Sequence, residues 1–420
     1  MSTAPRRGMF VSLTVRNYRL YFFGMLLSNI GLWMARVAQD WLVLTVLTNN
    51  SSIMLGTITA LQFLPIALLS PYAGAVADRF PKRELLMVTQ SAAALTWGVQ
   101  ALLVFTGAVQ LWHVMALAFL SGVVSSFDNP ARQAFSSEMV PDAYLTNAVG
   151  LNSTTFNASR LIGPGVAGFA IAAWGIGPAL LINAVSYVAT LIALLLMRPE
   201  ELHPAPRTKG RGSVRAGLRY VAKRPDIVLT LFIVFMLGTF GLNFQVTNAL
   251  MATTVFGVGS EEYGMMGTVM GIGTLVAALM AARRQRPRNL VLVGALGGFA
   301  LFLTIAALTP HYYVYLAALV PVGLCSLTVM TSANASVQLS TTPAMRGRVM
   351  ALYMAIFMGG TPVGAPLIGW IGEVFGARAT LLVGSLATGL AFVVAVLFLL
   401  RRRHWRLPSF PVRRDLTPDV

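Results

Sequence analysis

Apolar residues run along this chain in twelve stretches of helix length, separated by short segments where Gly, Pro or clustered charges break the pattern. The first six cover residues 18–47, 53–76, 85–105, 112–139, 145–173 and 179–197. The next six cover 227–256, 263–282, 290–308, 312–338, 349–374 and 380–400. A membrane crossing takes about 20 mostly apolar residues, so the pattern predicts an all-α membrane protein with twelve transmembrane helices. Several stretches are longer and are expected to tilt or protrude. The expected layout is a first six-helix half at 1–198, a basic cytoplasmic linker at 199–226, a second half at 227–400 and a basic cytoplasmic tail at 401–420. Within the linker, residues 213–222 (SVRAGLRYVA) read as a basic amphipathic helix lying along the membrane surface, a strap between the halves.

Composition agrees with a membrane as solvent. Of 420 residues, 56% are apolar and only 11% are Asp, Glu, Lys or Arg, against roughly a quarter in ordinary soluble domains. A soluble enzyme is excluded on that ground. The net charge of +17 would suggest nucleic acid in a soluble chain, but the basic residues are not spread like a binding patch. Auditing alternate loops puts 28 of the 31 Lys and Arg on one side. The remaining three are Arg36, Arg160 and Arg378. This asymmetry predicts cytoplasmic N- and C-termini, with anionic lipid rather than nucleic acid as the partner of those arginines. The N-terminus, MSTAPRRGMF, has no short apolar core followed by a small-residue cleavage site, so no removable signal peptide is expected. A single cysteine, Cys325, excludes an internal disulfide.

The two halves look related. Pro141 and Pro343 precede the fifth and eleventh stretches and Pro164 and Pro366 lie inside them, each pair 202 residues apart. Trp174-Gly175 to Leu180-Leu181 matches Phe375-Gly376 to Leu381-Leu382 at a spacing of 201. Two six-helix repeats around a midplane site are the layout of a secondary transporter.

Specific residues carry a family resemblance. Gly74-x-x-x-Asp78-Arg79-x-Pro81-Lys82-Arg83, between the second and third stretches, resembles the signature loop G-x-x-x-D-R-x-G-R-R/K of the major facilitator superfamily, departing from it at Pro81. Such a loop needs a short turn, a carboxylate that can hold a neighbouring helix end, and basic anchors at the headgroups. Gly163-Pro164-Gly165-Val166-Ala167-Gly168 is similar to the antiporter motif G-P-x-x-G-G, with Ala167 as a departure. Gln39-Asp40-Trp41, Asp128-Asn129-Pro130-Ala131-Arg132, Arg160-Leu161-Ile162-Gly163-Pro164 and Arg346-Gly347-Arg348 resemble the branch that contains the enterobactin exporter and other transmembrane secretion transporters. The resemblance implies two pseudo-symmetric halves and proton-driven export across a bacterial cytoplasmic membrane.

Charges inside the bilayer cost roughly 2.5–3.5 kcal/mol each on insertion scales and are functional candidates by default. Asn29, Trp33, Arg36 and Asp40 form one polar stripe on the first helix, and Ser121, Ser125, Asp128 and Arg132 repeat that spacing on the fourth. Asn152, Phe156, Arg160 and Gly163 share a face of the fifth. A carboxylate beside an arginine can switch between ion-paired and protonated forms as its wetting changes. Asp40 and Asp128 are therefore the expected proton carriers, with Arg36, Arg132 and Arg160 as counter-charges. Static ion pairs that fix helix packing are the competing interpretation.

The second half offers no carboxylate well inside a helix. Its polar groups, Gln245 and Asn248 on the seventh stretch and Thr328, Thr331, Asn334 and Gln338 on the tenth, stand among Phe240, Phe244 and methionines. They describe a roomy pocket for an amphipathic or aromatic molecule such as a drug, siderophore or secondary metabolite. Asn29, Trp33, Phe240, Gln245, Asn248, Thr331 and Asn334 are the expected substrate contacts, mostly in the second half. No G-x-x-x-x-G-K-S/T occurs, so ATP is not expected to drive transport. His113, His203, His311 and His404 stand at unrelated spacings, so no metal site, cofactor or catalytic cluster is expected. The expectation is a monomeric proton-coupled exporter, with uptake by symport or lysophospholipid movement as alternatives on the same fold. A non-transporting membrane sensor would need an appended soluble domain, which neither the linker nor the tail supplies.

Overall fold

The computed structural model describes residues 10–203, 214–283 and 289–402. The linker residues 204–213, the tail beyond 402 and basic residues such as Arg6, Arg7, Arg284, Arg286 and Arg288 lie outside the described residues. The described chain is almost wholly helical: α1 (Arg16–Leu42), α2 (Ser52–Arg79), α3 (Lys82–Phe105), α4 (Leu111–Glu138), α5 (Leu145–Trp174), α6 (Ile176–Leu195), α7 (Val214–Ala222), α8 (Pro225–Met236), α9 (Phe244–Leu250), α10 (Ser260–Ala282), α11 (Asn289–Leu308), α12 (Tyr312–Ser340), α13 (Pro343–Phe375) and α14 (Ala377–Arg402).

Among the described residues, eleven helical segments are long and apolar enough to cross a membrane, α8 and α9 counting as one segment, Pro225–Phe256. The remaining long helix, α5, has 30 residues, but its Asn, Ser, Thr and Arg face lowers its hydropathy below that of the others. Helix ends follow local chemistry. Ser51 caps α2 by accepting from the Met54 amide at 3.5 Å. Gly175 and Gly376 end α5 and α13 at φ of +89° and +86°, a region that an L side chain rarely enters.

The expected continuous seventh helix is broken. After α8 the turn Leu237–Gly241 widens, with the Leu242 amide donating to the Leu237 carbonyl five residues back at 2.9 Å. Asn243 Nδ2 donates to the Thr239 carbonyl at 2.7 Å, tying up part of the interrupted backbone. Gly238 and Gly241 weaken the helix here, and Gly360 of α13 packs against Thr239, so the break is held by a neighbour rather than by lipid. Helix α7 appears where the amphipathic segment was expected and leans on the start of α13, with Tyr220 receiving the Thr342 amide at 3.4 Å. Arg224, just after it, forks onto Asp226 at 3.0 and 2.7 Å.

Helices α1 to α6 pack chiefly on one another, as do α8 to α14, and the two groups meet where α2 lies along α13 and α5 along α10. Both seams are tight at the end of the bundle where α2 begins and α13 finishes, here the far end. A Cβ on Gly168 would sit 2.5 Å from the Ser260 carbonyl oxygen, and one on Gly267 would sit 2.7 Å from Pro164 Cβ. Ser52 Oγ donates to the Gly369 carbonyl at 2.8 Å. Glu373 Oε2 accepts from the Ser52 amide at 2.9 Å, Ser52 Oγ at 3.1 Å, Ser51 Oγ at 3.3 Å and the Ile53 amide at 3.4 Å. One carboxylate of α13 thus satisfies the free N–H groups at the start of α2 across the seam, where the helix dipole also favours it. Toward the near end, large side chains such as Tyr72 and Leu339 are exposed instead.

The Glu373 clasp predicts that Glu373→Ala loosens the far end. Loss of a helix cap costs about 0.5–2 kcal/mol, so hydrogen–deuterium exchange of the Ser52 and Ile53 amides should accelerate several-fold with little change at α11. Unchanged exchange at those amides would contradict the clasp.

Candidate functional site

Between the two groups of helices lies a cavity of about 680 Å³. It reaches from Tyr21 and Ser136 near the near end to Asp40 and Asn248 deep between the groups. The polar stripes expected from spacing face it. Asn29, Trp33, Arg36 and Asp40 line it from α1, Ser121, Ser125, Asp128 and Arg132 from α4, and Asn152, Phe156 and Arg160 from α5, where Pro164 rather than the expected Gly163 completes the face. From the other group come Phe244, Gln245 and Asn248 of the broken helix, Tyr263 and Met270 of α10, Ser326 and Met330 of α12, and Phe357 of α13.

The two acidic residues have different surroundings. Asp128, buried on α4, is paired through Oδ2 with Arg132 one turn later. Its Oδ1 accepts from Thr89 Oγ1 and Gln90 Nε2 of α3, both at 2.7 Å. Arg132 also reaches Asn29 Oδ1 at 3.4 Å. Every strong partner of Asp128 belongs to the first group of helices. Asp40, 3% exposed, instead accepts from the Tyr263 hydroxyl at 3.0 Å, a residue of α10 in the other group. The Tyr263 ring stacks on Trp41 with 5.9 Å between centroids.

The pairing of Arg36 with Asp40 expected from their one-turn spacing is not formed. Arg36 turns onto aromatic rings, its guanidinium carbon 5.1 Å from the Trp33 centroid and 5.7 Å from that of Phe63. Arg160 also lies over Trp33, at 5.7 Å, and lines the cavity rather than backing a carboxylate. Among the described residues neither arginine is in an ion pair, and Arg36 Nε is buried without a hydrogen-bond partner. A cation–π contact is worth about 0.5–2 kcal/mol, less than the several kcal/mol that desolvating an ion costs. Trp33 is itself fixed, edge-on to Phe156 at 6.1 Å, with its Cβ where any side chain at Gly163 would collide.

Three expected substrate contacts do not line the cavity. Phe240 lies inside the widened turn, which shifts the helical phase, so Phe244 faces the cavity and the Phe240 carbonyl lies against Gly384. The Thr331 hydroxyl bends back to the Leu327 carbonyl at 2.9 Å, and Asn334 Oδ1 accepts from Gln338 at 2.6 Å. Ser326, Leu327 and Met330 present the cavity face of α12 instead. Tyr263, Tyr187, Thr89 and Gln90 were not singled out from the sequence, since lone polar or aromatic residues on apolar helices carry no spacing signal.

The loop around Gly74, Asp78, Arg79, Lys82 and Arg83 works differently from its expected form. Asp78 and Arg79 are exposed, Asp78 holds no helix end among the described residues, and Gly74 faces open space. Its basic members make the contacts: Lys82 Nζ meets Glu138 Oε1 of α4 at 3.1 Å, and Arg83 Nε donates to the Leu194 carbonyl in the last turn of α6 at 2.8 Å. Gly163, Pro164 and Gly168 of the antiporter-like motif sit where α5 touches α1 and α10, so small residues there permit close helix approach.

The chain is 26% identical to the staphyloferrin A transporter of Staphylococcus aureus over 383 residues, 88% of this chain and 93% of that one. It is 28% identical to the multidrug efflux pump Tap of Mycolicibacterium fortuitum over 407 residues, 93% and 98% of the two chains. Its fold matches the crystal structure of a bacterial homologue of the human lysosomal transporter Spinster, inward-facing and unoccupied, with a TM-score of 0.70 at 15% identity, covering 94% of this chain and 99% of the other. The family described as transmembrane secretion effector matches residues 8–411. This chain therefore belongs to the transmembrane secretion effector family of the major facilitator superfamily and is a multi-pass membrane transporter.

Proposed function

We propose that the protein is a proton-coupled exporter of small amphipathic or aromatic molecules, working as a monomer in the bacterial cytoplasmic membrane by alternating access between two six-helix halves, 1–198 and 227–400. In this reading α5 is the twelfth crossing. Its polar face is turned to the cavity and not to lipid, which accounts for its lower hydropathy. The asymmetry of the basic loops supports cytoplasmic termini; in this reading the near end is the inner one and the cavity is open inward. The relatives named for efflux and for a staphyloferrin support export as the direction.

One observation carries the coupling: Asp40 lines the cavity and is held by Tyr263 across the seam. That bond exists only while the far end is closed. Opening the far end breaks it and turns the carboxylate toward outside water, so the hold of Asp40 on a proton changes with conformation. Asp128 lacks this property, because Thr89, Gln90 and Arg132 move with it. Asp40 is the proton carrier in this reading, and Asp128 is a structural ion that keeps α4 registered on α3 and holds Arg132 at Asn29. Gln245, beside Asp40, adds a polar group of the second half to the same carboxylate, and Asn248, whose Oδ1 accepts from the Tyr315 hydroxyl at 2.7 Å, lines the same cavity.

Three outcomes follow in proteoliposomes carrying an internal pH dye. Asp40→Asn abolishes substrate-induced proton flux while substrate binding persists; undiminished flux would sink the coupling role. Tyr263→Phe lowers the flux and shifts its pH profile without abolishing it. Asp128→Ala, which strands Arg132, lowers stability by about 3–5 kcal/mol, read as a loss of thermal midpoint, whereas Asp128→Asn retains coupling in whatever fraction folds.

A further inference from the structure

The cavity holds more positive charge than its own carboxylates compensate. Its described lining contains three arginines, Arg36, Arg132 and Arg160, and two carboxylates, Asp40 and Asp128. Arg132 and Asp128 neutralise each other. Arg36 and Arg160 are left with Asp40 alone, and neither forms an ion pair with it. Protonation of Asp40 removes even that charge. Both guanidiniums lie over one ring, Trp33, which Phe156 and the close backbone of Gly163 hold in place. Two like charges on one wall of the cavity, one with a buried N–H that has no acceptor among the described residues, have the chemistry that a carboxylate pairs with through charge-assisted hydrogen bonds.

We propose that Arg36 and Arg160, braced by Trp33, form the subsite for a carboxylate of the transported molecule. Its apolar or aromatic body then lies against Phe244, Met270, Met330 and Phe357 on the opposite wall. The inference rests on reading this cavity as the transport site, and it deepens that reading to organic anions. The charged end is thereby assigned to the first half, where the sequence pattern alone placed the proton carriers and, of the expected substrate contacts, Asn29 and Trp33. It also makes export electrogenic: exchanging one monoanion outward for one proton inward moves two positive charges toward the negative interior.

Fluorescein and rhodamine 6G share a xanthene body and differ in charge, which makes them a matched probe pair. The test is fluorescence polarisation with the full-length protein in nanodiscs at pH 8. Fluorescein should bind at least tenfold more tightly than rhodamine 6G. The Arg36→Gln, Arg160→Gln double variant should erase that preference, and the Arg36→Lys, Arg160→Lys variant, which keeps both charges, should retain most of it. Equal binding of the two dyes by the wild type, which needs no variant to fold, would overturn the proposal, as would an anion preference that survives in the Gln variant. Competition separates the sources of anion. Displacement of fluorescein by 1-naphthoate supports a carboxylate subsite, while displacement by lysophosphatidylglycerol but not naphthoate overturns it in favour of a lipid phosphate. Wild-type proteoliposomes that export rhodamine 6G but not fluorescein would overturn the anion assignment and leave the transport reading intact. Vesicles that move neither dye, with fluorescein still bound through the two arginines, would overturn the transport reading alone.

Discussion

A charge placed deep in a bilayer needs compensation within a few ångströms, at a cost of roughly 2.5–3.5 kcal/mol on insertion scales when it is simply carried there by a helix. Five such charges sit in the first six helices, and the way each is compensated separates their roles. Asp128 and Arg132 compensate each other inside one group of helices. Asp40 is satisfied from the other group, by Tyr263. Among the described residues Arg36 and Arg160 meet aromatic faces and no carboxylate. The first arrangement lies within one group of helices, the second spans the seam, and the third leaves two cations on the cavity wall.

That second arrangement matters because the two groups of helices meet tightly only at the far end. Glycines of α5 and α10, together with Pro164 of α5, let the backbones approach there, and Glu373 clasps the start of α2. Carbonyl contacts of this kind are short-range, so a small rotation of one group against the other would forfeit them together. At the near end the basic loop holds α3 to α4 and α6 but, among the described residues, does not bridge the groups, leaving Asp78 without a helix end to hold. Such a bundle is braced on one face and free on the other.

Much of this was legible from residue spacing. Apolar runs of membrane-crossing length marked the helices, and the stripes Asn29–Trp33–Arg36–Asp40 and Ser121–Ser125–Asp128–Arg132, set by helical spacing, face the cavity because polar groups have nowhere else to go in lipid. Partnership was less legible. Arg36 and Asp40 share a face, yet a guanidinium reaches aromatic rings as readily as a carboxylate, and which it meets depends on helices far away in sequence. Phe240 was misplaced because a widened turn resets the helical phase, and Gly238 and Gly241 announce only that the helix is weak there. Tyr263 was invisible, since its role exists only across the seam.

In the proposed mechanism, protonation of Asp40 and closure of the far seam are one linked equilibrium. It is tested most directly by double electron–electron resonance between spin labels at Ala108→Cys and Phe375→Cys, on a Cys325→Ser background, as pH is varied. The account predicts a far-end distance distribution that shifts with pH in the otherwise native protein and is insensitive to pH in Asp40→Asn. The same pH-dependent shift in both proteins would contradict it.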